Sequence, residues 1–166
     1  MRSHSRCKPA LVRAVSSSPV SRNRKVKSTS APHHCYLLNR DHLAAGAIEA
    51  LVGLRASLFE RIAGAVGDWV PQPQLVGVFG SAARRDGDAD SDIDIVVVAD
   101  SPEVEERAGE LAQLVESWTG NACHVVTAST SDLRRMRRHK EPVLANWERD
   151  MVVIAGDRAV LKGARR

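Results

Sequence analysis

A hydrophobic run long enough to cross a bilayer is missing from this sequence. A membrane-spanning helix needs about 20 consecutive apolar residues, and no stretch of the chain approaches that length. The apolar piece near the N-terminus, residues 10–15, is short and is interrupted by Arg13. A secretory signal peptide needs a longer uninterrupted apolar core. We therefore expect a soluble protein of the cytoplasm.

Cysteine is also scarce, with Cys7, Cys35 and Cys123 forming an odd set without paired spacing. Disulfide-rich domains carry even numbers of cysteines at characteristic separations, so we expect no disulfide framework. Neither His34-Cys35 nor Cys123-His124 has a Cys-x-x-Cys partner. The sequence therefore does not predict a structural zinc site, which needs four such ligands.

Acidic residues are absent from the first 40 positions, which carry nine Lys or Arg. Residues 41–166, by contrast, hold fifteen basic and twenty acidic side chains. Residues 1–31 are rich in Ser, Arg and Lys and show no helical or strand period, so we predict a disordered basic arm. Such an arm can contact nucleic acid through phosphates or remain solvated without a partner, and both interpretations stay open.

Two short apolar runs, residues 75–79 and 93–98, flank a segment of small, basic and acidic residues. If the second run is a strand, its side chains alternate, and Asp92 and Asp94 lie on one face. Two neighbouring carboxylates repel each other unless a proton or a cation lies between them. Hard divalent cations prefer such oxygen ligands. The pair therefore predicts a site for Mg²⁺ or Mn²⁺.

Gly80-Ser81 ends the first apolar run, just before a predicted helical turn. Backbone N–H groups at such a turn can hold a phosphate, so the segment can bind both phosphate and the metal that accompanies it. A solvated acidic turn is the alternative, since Asp and Gly favour turns for local reasons. An EF-hand loop is excluded, because its sixth and twelfth positions would be Ser91 and Val97 instead of Gly and Glu.

This segment resembles the signature of the polymerase-β-like nucleotidyltransferase superfamily, in its minimal, antitoxin-type form. The signature is Gly-Ser, an Arg three residues on, and Ser-Asp-x-Asp at the start of a strand. The matching residues are Gly80, Ser81, Arg84, Ser91, Asp92 and Asp94. The resemblance covers about residues 41–157.

The resemblance implies transfer of a nucleoside monophosphate, AMP from ATP or its equivalent from another NTP, to a hydroxyl acceptor. It implies Asp92 and Asp94 as the catalytic ligands of Mg²⁺ or Mn²⁺ in the two-metal manner. The residues that it implies for nucleotide binding are Gly80, Ser81, Arg84 and Ser91. It also implies a protein partner, either a toxin-like protein or the acceptor itself. Aminoglycoside modification stays open, because no readable motif encodes the acceptor site.

Two positions depart from the family pattern. The family's third strand supplies a third carboxylate, and His124 stands at that position, with no Asp or Glu between Glu116 and Asp132. Imidazole prefers softer metals than Mg²⁺, so His124 is either a third metal ligand or an ordinary strand histidine. Arg85 occupies a position that is often Gly in the family. The missing acid favours an alternative function, a nucleotide-binding regulatory module with little catalysis. Such a module would be an antitoxin-like partner or the effector half of a DNA-binding regulator.

Residues 34–43 carry a second, weaker resemblance, to the last wing strand of a winged helix-turn-helix domain and its exit into a linker helix. A recognition helix should lie upstream, and residues 1–31 show no pattern of one. Either the start of the chain is displaced or truncated, or the resemblance is accidental, and we assign no DNA binding on it. The predicted organisation is an arm at 1–31, a wing-like remnant at 32–40, a nucleotidyltransferase domain at 41–157 and a basic tail at 158–166.

The rest of the chain predicts helices on a small sheet. Apolar residues at helical spacing predict a helix over 41–66 whose apolar face packs behind the first strand. The first two strands should be neighbours, since their linker is too short for a crossover helix. A third strand is predicted at 122–127, a strongly basic helix from Ser131, and a fourth strand at 151–155. The basic helix could attract a triphosphate tail or an acidic or nucleic-acid substrate. The predicted fold class is α/β (α+β), a mixed sheet of about four strands packed against helices.

Overall fold

The computed structural model describes residues 37–88 and 90–163 of the chain. The chain divides into two compact units, residues 1–45 and 46–166. The predicted arm at 1–31 lies outside the described residues, as does most of the wing-like segment at 32–40. Residues 37–44 form no strand, and the amide of Asp41 donates to Asn39 Oδ1 at 3.1 Å in a turn.

The second unit is built on a four-stranded mixed sheet, in the order β3-β2-β1-β4. Its strands are β1 (Leu75–Phe79), β2 (Ile93–Val98), β3 (Cys123–Ala128) and β4 (Val152–Gly156). β1 pairs antiparallel with both β2 and β4, whereas β2 and β3 run parallel. The fold class and the pairing of the first two strands are confirmed.

The helices of the structure are α1 (Ala45–Gly67), α2 (Gly80–Arg84), α3 (Pro102–Thr119), α4 (Thr130–His139) and α5 (Pro142–Asp150). α4 begins earlier than the predicted start at Ser131, because its N-cap is Ser129. The amide of Asp132 donates to Ser129 Oγ at 3.1 Å, and the amide of Ser129 donates to Asp132 Oδ2 at 3.0 Å. This reciprocal capping box satisfies two otherwise unpaired donors.

A hydrophobic cluster covers each face of the sheet. Ile95 and Val97 belong to the cluster formed with α1 and α3. Val96 and Val98 belong to the opposite cluster, which includes Trp147 of α5. This division follows from the two-residue alternation of a strand. It means that β2 is buried on both sides along its C-terminal half, and its polar residues can only lie at its N-terminal end.

α1 packs on the sheet only through its C-terminal half. Ile62 and Val66 are fully buried, whereas four residues predicted to face the core are exposed. These are Leu43 (102%), Ile48 (42%), Leu51 (66%) and Val52 (79%). A helix of 23 residues is roughly 34 Å long, and strands of five or six residues span only roughly 17–20 Å. The first half of α1 therefore extends beyond the sheet.

Residues 158–162, the first part of the predicted basic tail, are helical. Arg158–Lys162 forms a 3₁₀ helix, where a basic tail was expected. Leu161 is fully buried in the same cluster as Leu75 and Trp147. We propose that the domain extends through Lys162, because a buried leucine ties this segment to the core. Within the described residues, no helix is both long and apolar enough to cross a membrane.

Candidate active site

The turn between β1 and α2 lies directly against a carboxylate of β2. Gly80 begins α2 with a φ of +69°, which an L side chain adopts only with strain. A Cβ on Gly80 would lie 2.3 Å from Oδ2 of Asp94. The antiparallel register places Phe79 opposite Asp94, which brings the Gly-Ser turn to this acid. Position 80 therefore favours glycine for two reasons, its positive φ and the closeness of the Asp94 carboxylate.

Three predicted site residues converge at the N-terminal ends of β2 and β3. Asp94 is in register with His124 on the parallel strand. Nδ1 of His124 lies 3.6 Å from Asp92 Oδ2 and 3.8 Å from Asp94 Oδ1. The side chain of Asp94 is 30% exposed and that of Asp92 is 49% exposed, so a ligand can reach both from solvent.

The electrostatics of Asp94 favour a bound cation. Partial burial raises the pKa of Asp94 above its usual 3.8. The charges of His124 and Arg84 lower this pKa, and the charge of Asp92 raises it. The net result is a raised pKa, so the surrounding protein does not fully compensate the ionised carboxylate. A divalent cation near both acids would supply the missing charge.

The donor set fits a hard divalent cation that keeps open coordination positions. Asp92 and Asp94 offer oxygen ligands on one side of β2, and Mg²⁺ typically uses one or two carboxylates together with water and substrate phosphates. Among residues 37–88 and 90–163, no group of three or more His, Cys, Asp or Glu side chains is arranged to hold a metal ion alone. His124 is near both acids, but it does not complete such a group.

The acidic loop between α2 and β2 is closed by its own hydrogen bonds. The hydroxyl of Ser91 donates to Asp88 Oδ1 at 2.7 Å and accepts from the amide of Asp88 at 2.9 Å. The amide of Asp90 donates to Asp88 Oδ1 at 3.2 Å. The bond from Ser91 lowers the pKa of Asp88. Ser91 thus shapes the loop beside Ser81, and its predicted contact with the nucleotide stays a prediction.

The two arginines that follow the Gly-Ser turn have different surroundings. Nε of Arg84 lies 2.9 Å from Asp86 Oδ2, so its side chain is paired with that acid. Arg85 caps α2 with φ 66° and ψ 32°, and its amide donates to Ser81 O at 2.9 Å. This is the left-handed conformation that favours glycine at helix ends. The departure at position 85 therefore places strain next to the site.

Arg55 of α1 supports the site and was not found from the sequence. Its Nε donates to Ala82 O at 2.6 Å, and its NH2 donates to Ala83 O at 3.0 Å. Its guanidinium also lies 4.4 Å from the centroid of the Phe59 ring. Burial, and then the charge of Arg85, lower the pKa of Arg55. The contact fixes the C-terminal end of α2, and no local pattern could relate residues 27 positions apart.

A cavity of about 520 Å³ adjoins the loop at Ser81 and Asp92. Its walls come from α1, the α2–β2 loop and the C-terminal end of α3. Two aromatic rings line it, those of Phe59 and Trp118, and the guanidinium of Arg61 lies 5.7 Å from the centroid of the Trp118 ring. The candidate site thus has an open side at His124 and a concave side at this cavity.

Residues 60–153 match the nucleotidyltransferase domain family. This match covers more than half of the chain, and the protein belongs to that family. The fold and the Gly80–Asp94 contact agree with this assignment. A search of curated protein sequences gives no match.

Several solved structures are similar to this chain. A toxin–antitoxin with AMP-PNP is 23% identical, with a TM-score of 0.46 and coverage of 63% of this chain and 77% of that chain. The toxin–antitoxin MntA–HepT is 22% identical, with a TM-score of 0.42 and coverage of 64% and 77%. A tri-AMPylated Shewanella oneidensis HEPN toxin in complex with MNT antitoxin is 22% identical, with a TM-score of 0.42 and coverage of 63% and 75%.

Proposed function

We propose that this nucleotidyltransferase-family protein transfers a nucleoside monophosphate, AMP from ATP, to a hydroxyl acceptor with Mg²⁺ or Mn²⁺. The contact between Gly80 and Asp94 carries the proposal. It joins a turn suited to phosphate with a carboxylate suited to the metal that accompanies a triphosphate. Family membership supports nucleotidyl transfer as the general reaction.

Different residues of the candidate site would bind the metal and the phosphates. Asp92 and Asp94 would hold the metal, which, when bound, neutralises phosphate charge and orients the reacting groups. The backbone at Gly80 and Ser81 would bind the phosphates. Arg84 would exchange its pairing with Asp86 for a phosphate oxygen, because a guanidinium binds phosphate as readily as carboxylate.

A hydroxyl on a partner protein is the acceptor that we propose. The side chains of His124 and Asp92 are 63% and 49% exposed, so the metal-binding edge is open to a bulky acceptor. An aminoglycoside hydroxyl is the alternative, and it would require a concave acidic pocket. The described cavity beside Ser81 contains Asp88 and Asp92 but also Arg55, Arg61 and Arg85, a mixture that disfavours a polycationic ligand.

The test is transfer of label from ATP labelled at the α-phosphate. Purified protein with Mg²⁺ is offered a candidate partner protein and, separately, an aminoglycoside. We expect labelled partner protein from the wild type, and a loss of several orders of magnitude for Asp92→Asn and for Asp94→Asn. Asp90→Asn is the matched control, because its side chain is exposed in the same loop and lies off the strand face. Unchanged transfer by both site variants would contradict the proposal.

A second candidate function is nucleotide binding with little catalysis, in a regulatory or antitoxin-like protein. The observation that favours it is that the residue in register with Asp94 on β3 is His124 and not an acid. Imidazole contributes no negative charge to a Mg²⁺ site. Tight Mg²⁺-dependent ATP binding without label transfer to any acceptor would select this function over the first.

A further inference from the structure

α4 concentrates the positive charge of the described domain. Residues 130–140 hold five Lys or Arg and one acid, Asp132. The remainder of residues 41–163 holds eight Lys or Arg and nineteen Asp or Glu. One helix and its cap are therefore strongly basic on a domain that is otherwise strongly acidic. Such segregation produces a local positive potential that the net charge conceals.

Two arginines of α4 are in direct contact with no acid of the described residues, although the charge of Arg134 lowers the pKa of Asp100. The carboxylate of Asp132 is engaged by the Ser129 cap and lies 3.0 Å from Arg135 NH2. In the part of the chain that the structure describes, Arg134 and Arg138 are exposed and form neither a hydrogen bond nor an ion pair. Their guanidinium groups are available to a ligand.

These two arginines share a face with Ser131. Residues at i, i+3 and i+7 lie on one side of a helix, and Leu133 and Met136 are buried on the opposite side. A depression of about 620 Å³ is lined by Ser131, Arg134, Arg137 and Arg138. We call these four residues the α4 basic face. Arg137 is anchored at its edge, because its guanidinium donates to Leu161 O.

The α4 basic face is separate from the candidate active site. α4 begins just after Ala128, at the end of β3 opposite to His124. The charges that shift the pKa of Asp94 are His124, Asp92 and Arg84, none of them on α4. Arg134 instead lowers the pKa of Asp100, which follows the other end of β2. α4 therefore begins at the opposite end of β3 from the candidate metal site.

We propose that the α4 basic face binds the phosphate backbone of a nucleic acid without reading its sequence. A guanidinium presents donors in a fork that matches phosphate oxygens. Arg134 and Arg138 are one turn apart, with Cβ atoms about 6 Å from each other. That spacing lets both contact neighbouring phosphates of one strand. The hydroxyl of Ser131 adds a further phosphate donor on the same face.

The composition of the face selects nucleic acid over an acidic protein. Its four residues include no aromatic side chain for base stacking, so only backbone contacts are offered. They also include no large apolar side chain, whereas a stable protein interface is built around an apolar core with aromatic anchors. This inference is independent of the proposed transferase activity, because the two surfaces share no residue.

The experiment measures binding of the full chain to a short labelled DNA duplex by fluorescence anisotropy, between about 50 and 200 mM salt. Each phosphate contact contributes about one unit to the slope of log Kobs against log salt concentration. We expect Arg134→Gln/Arg138→Gln to reduce that slope by about two and to weaken binding at the lowest salt by at least about tenfold. Arg134→Lys/Arg138→Lys keeps both charges and should keep the slope.

The matched control is Arg107→Gln/Arg149→Gln, which removes the same charge from α3 and α5. It should leave the slope within about half a unit of the wild type. Every variant keeps the nine basic residues of positions 1–40, so the difference between variants isolates the α4 basic face. An unchanged slope in the α4 glutamine variant overturns the proposal, as does an equal reduction in the control. Competition by poly-glutamate as effective as by unlabelled DNA would assign the face to an acidic protein instead.

Discussion

Gly80 and Asp94 are in van der Waals contact across the β1–β2 pair, with no room between them for a single methyl group. A methyl carbon at position 80 would lie 2.3 Å from Asp94 Oδ2 and 3.3 Å from Asp94 Cγ. Because the atoms met are those of the Asp94 side chain, the clash is relieved only if this carboxylate turns away from its place beside Asp92 and His124. Any residue other than glycine must displace either the turn or the carboxylate.

Gly80→Ala is therefore expected to abolish Mg²⁺-dependent ATP binding and to lower the melting temperature. Its positive φ adds about 1–2 kcal/mol of strain for an L residue. Gly109→Ala is the matched control, because no atom lies within 4 Å of the added Cβ in the middle of α3. That control should raise the free energy of unfolding by up to about 1 kcal/mol. Calorimetric ATP titration and thermal melting of both variants are the measurements, and wild-type ATP affinity in Gly80→Ala would contradict the assignment.

Asp94→Asn is expected to stabilise the metal-free protein at neutral pH while it removes metal binding. The pKa of Asp94 in the folded protein lies above the usual 3.8, so folding favours the protonated form. The ionised carboxylate therefore lowers stability once the pH exceeds the folded pKa, and this penalty disappears as the pH falls toward 3.8. The gain in melting temperature in EDTA should shrink over the same pH range.

Asp88→Asn is the control for that experiment, because its melting temperature should change in the opposite direction. Hydrogen bonds from Ser91 and from the amide of Asp90 lower the pKa of Asp88. Its ionised form therefore adds stability above the usual carboxyl pKa, and that stability is lost as the pH falls through the folded pKa. The asparagine variant should melt below the wild type at neutral pH. A lower melting temperature for Asp94→Asn in EDTA would show that its carboxylate is compensated by the protein.

Arg85→Gly is expected to raise the free energy of unfolding by about 1 kcal/mol, because glycine adopts the left-handed conformation without strain. The substitution also removes the charge that lowers the pKa of Arg55. Arg84→Gly is the control on the helical side of the cap, and it should destabilise by a similar amount. Urea unfolding of the two variants compares them directly. Destabilisation by Arg85→Gly would indicate that Arg85 makes a contact that outweighs its backbone strain.

His124→Asp is expected to strengthen Mg²⁺ binding, because it places a third carboxylate beside Asp92 and Asp94. The same change should lower the melting temperature without metal, since three like charges then share one site. His124→Asn is the matched control, isosteric with Asp but uncharged, and it should not strengthen Mg²⁺ binding. Titration of Mg²⁺ against melting temperature reports both effects. Equal Mg²⁺ affinity in His124→Asp and the wild type would show that position 124 does not reach the metal.

The local parts of the site were predictable because their signals are local. Alternation places Asp92 and Asp94 at the exposed start of an otherwise buried strand, and the Gly80-Ser81 break marks the turn before α2. Position 124 was identified by matching the third strand to the family's pattern, and in the structure His124 is in register with Asp94. The family match over residues 60–153 agrees with the resemblance that those motifs carried.

The parts that could not be predicted depend on distant or non-periodic residues. Arg55 donates a hydrogen bond to the carbonyl of Ala82, and this contact exists only because the folded chain brings α1 close to α2. Leu161 is the buried residue of a 3₁₀ helix that spans only Arg158–Lys162, and so short a segment shows no apolar period. Leu51 and Val52 are exposed because α1 is longer than the strands. The apolar spacing of a helix predicts which face is apolar, but it does not predict how far the helix extends beyond the sheet.

The most direct test of the candidate site is the affinity for ATP measured with and without Mg²⁺, in the wild type and in Asp92→Asn/Asp94→Asn. We expect Mg²⁺ to strengthen ATP binding to the wild type by at least about tenfold, because a metal held by Asp92 and Asp94 would also bind phosphate oxygens of ATP. The double variant should bind ATP weakly and equally in both conditions. An undiminished Mg²⁺ effect in the double variant would contradict the assignment of Asp92 and Asp94 as the metal ligands.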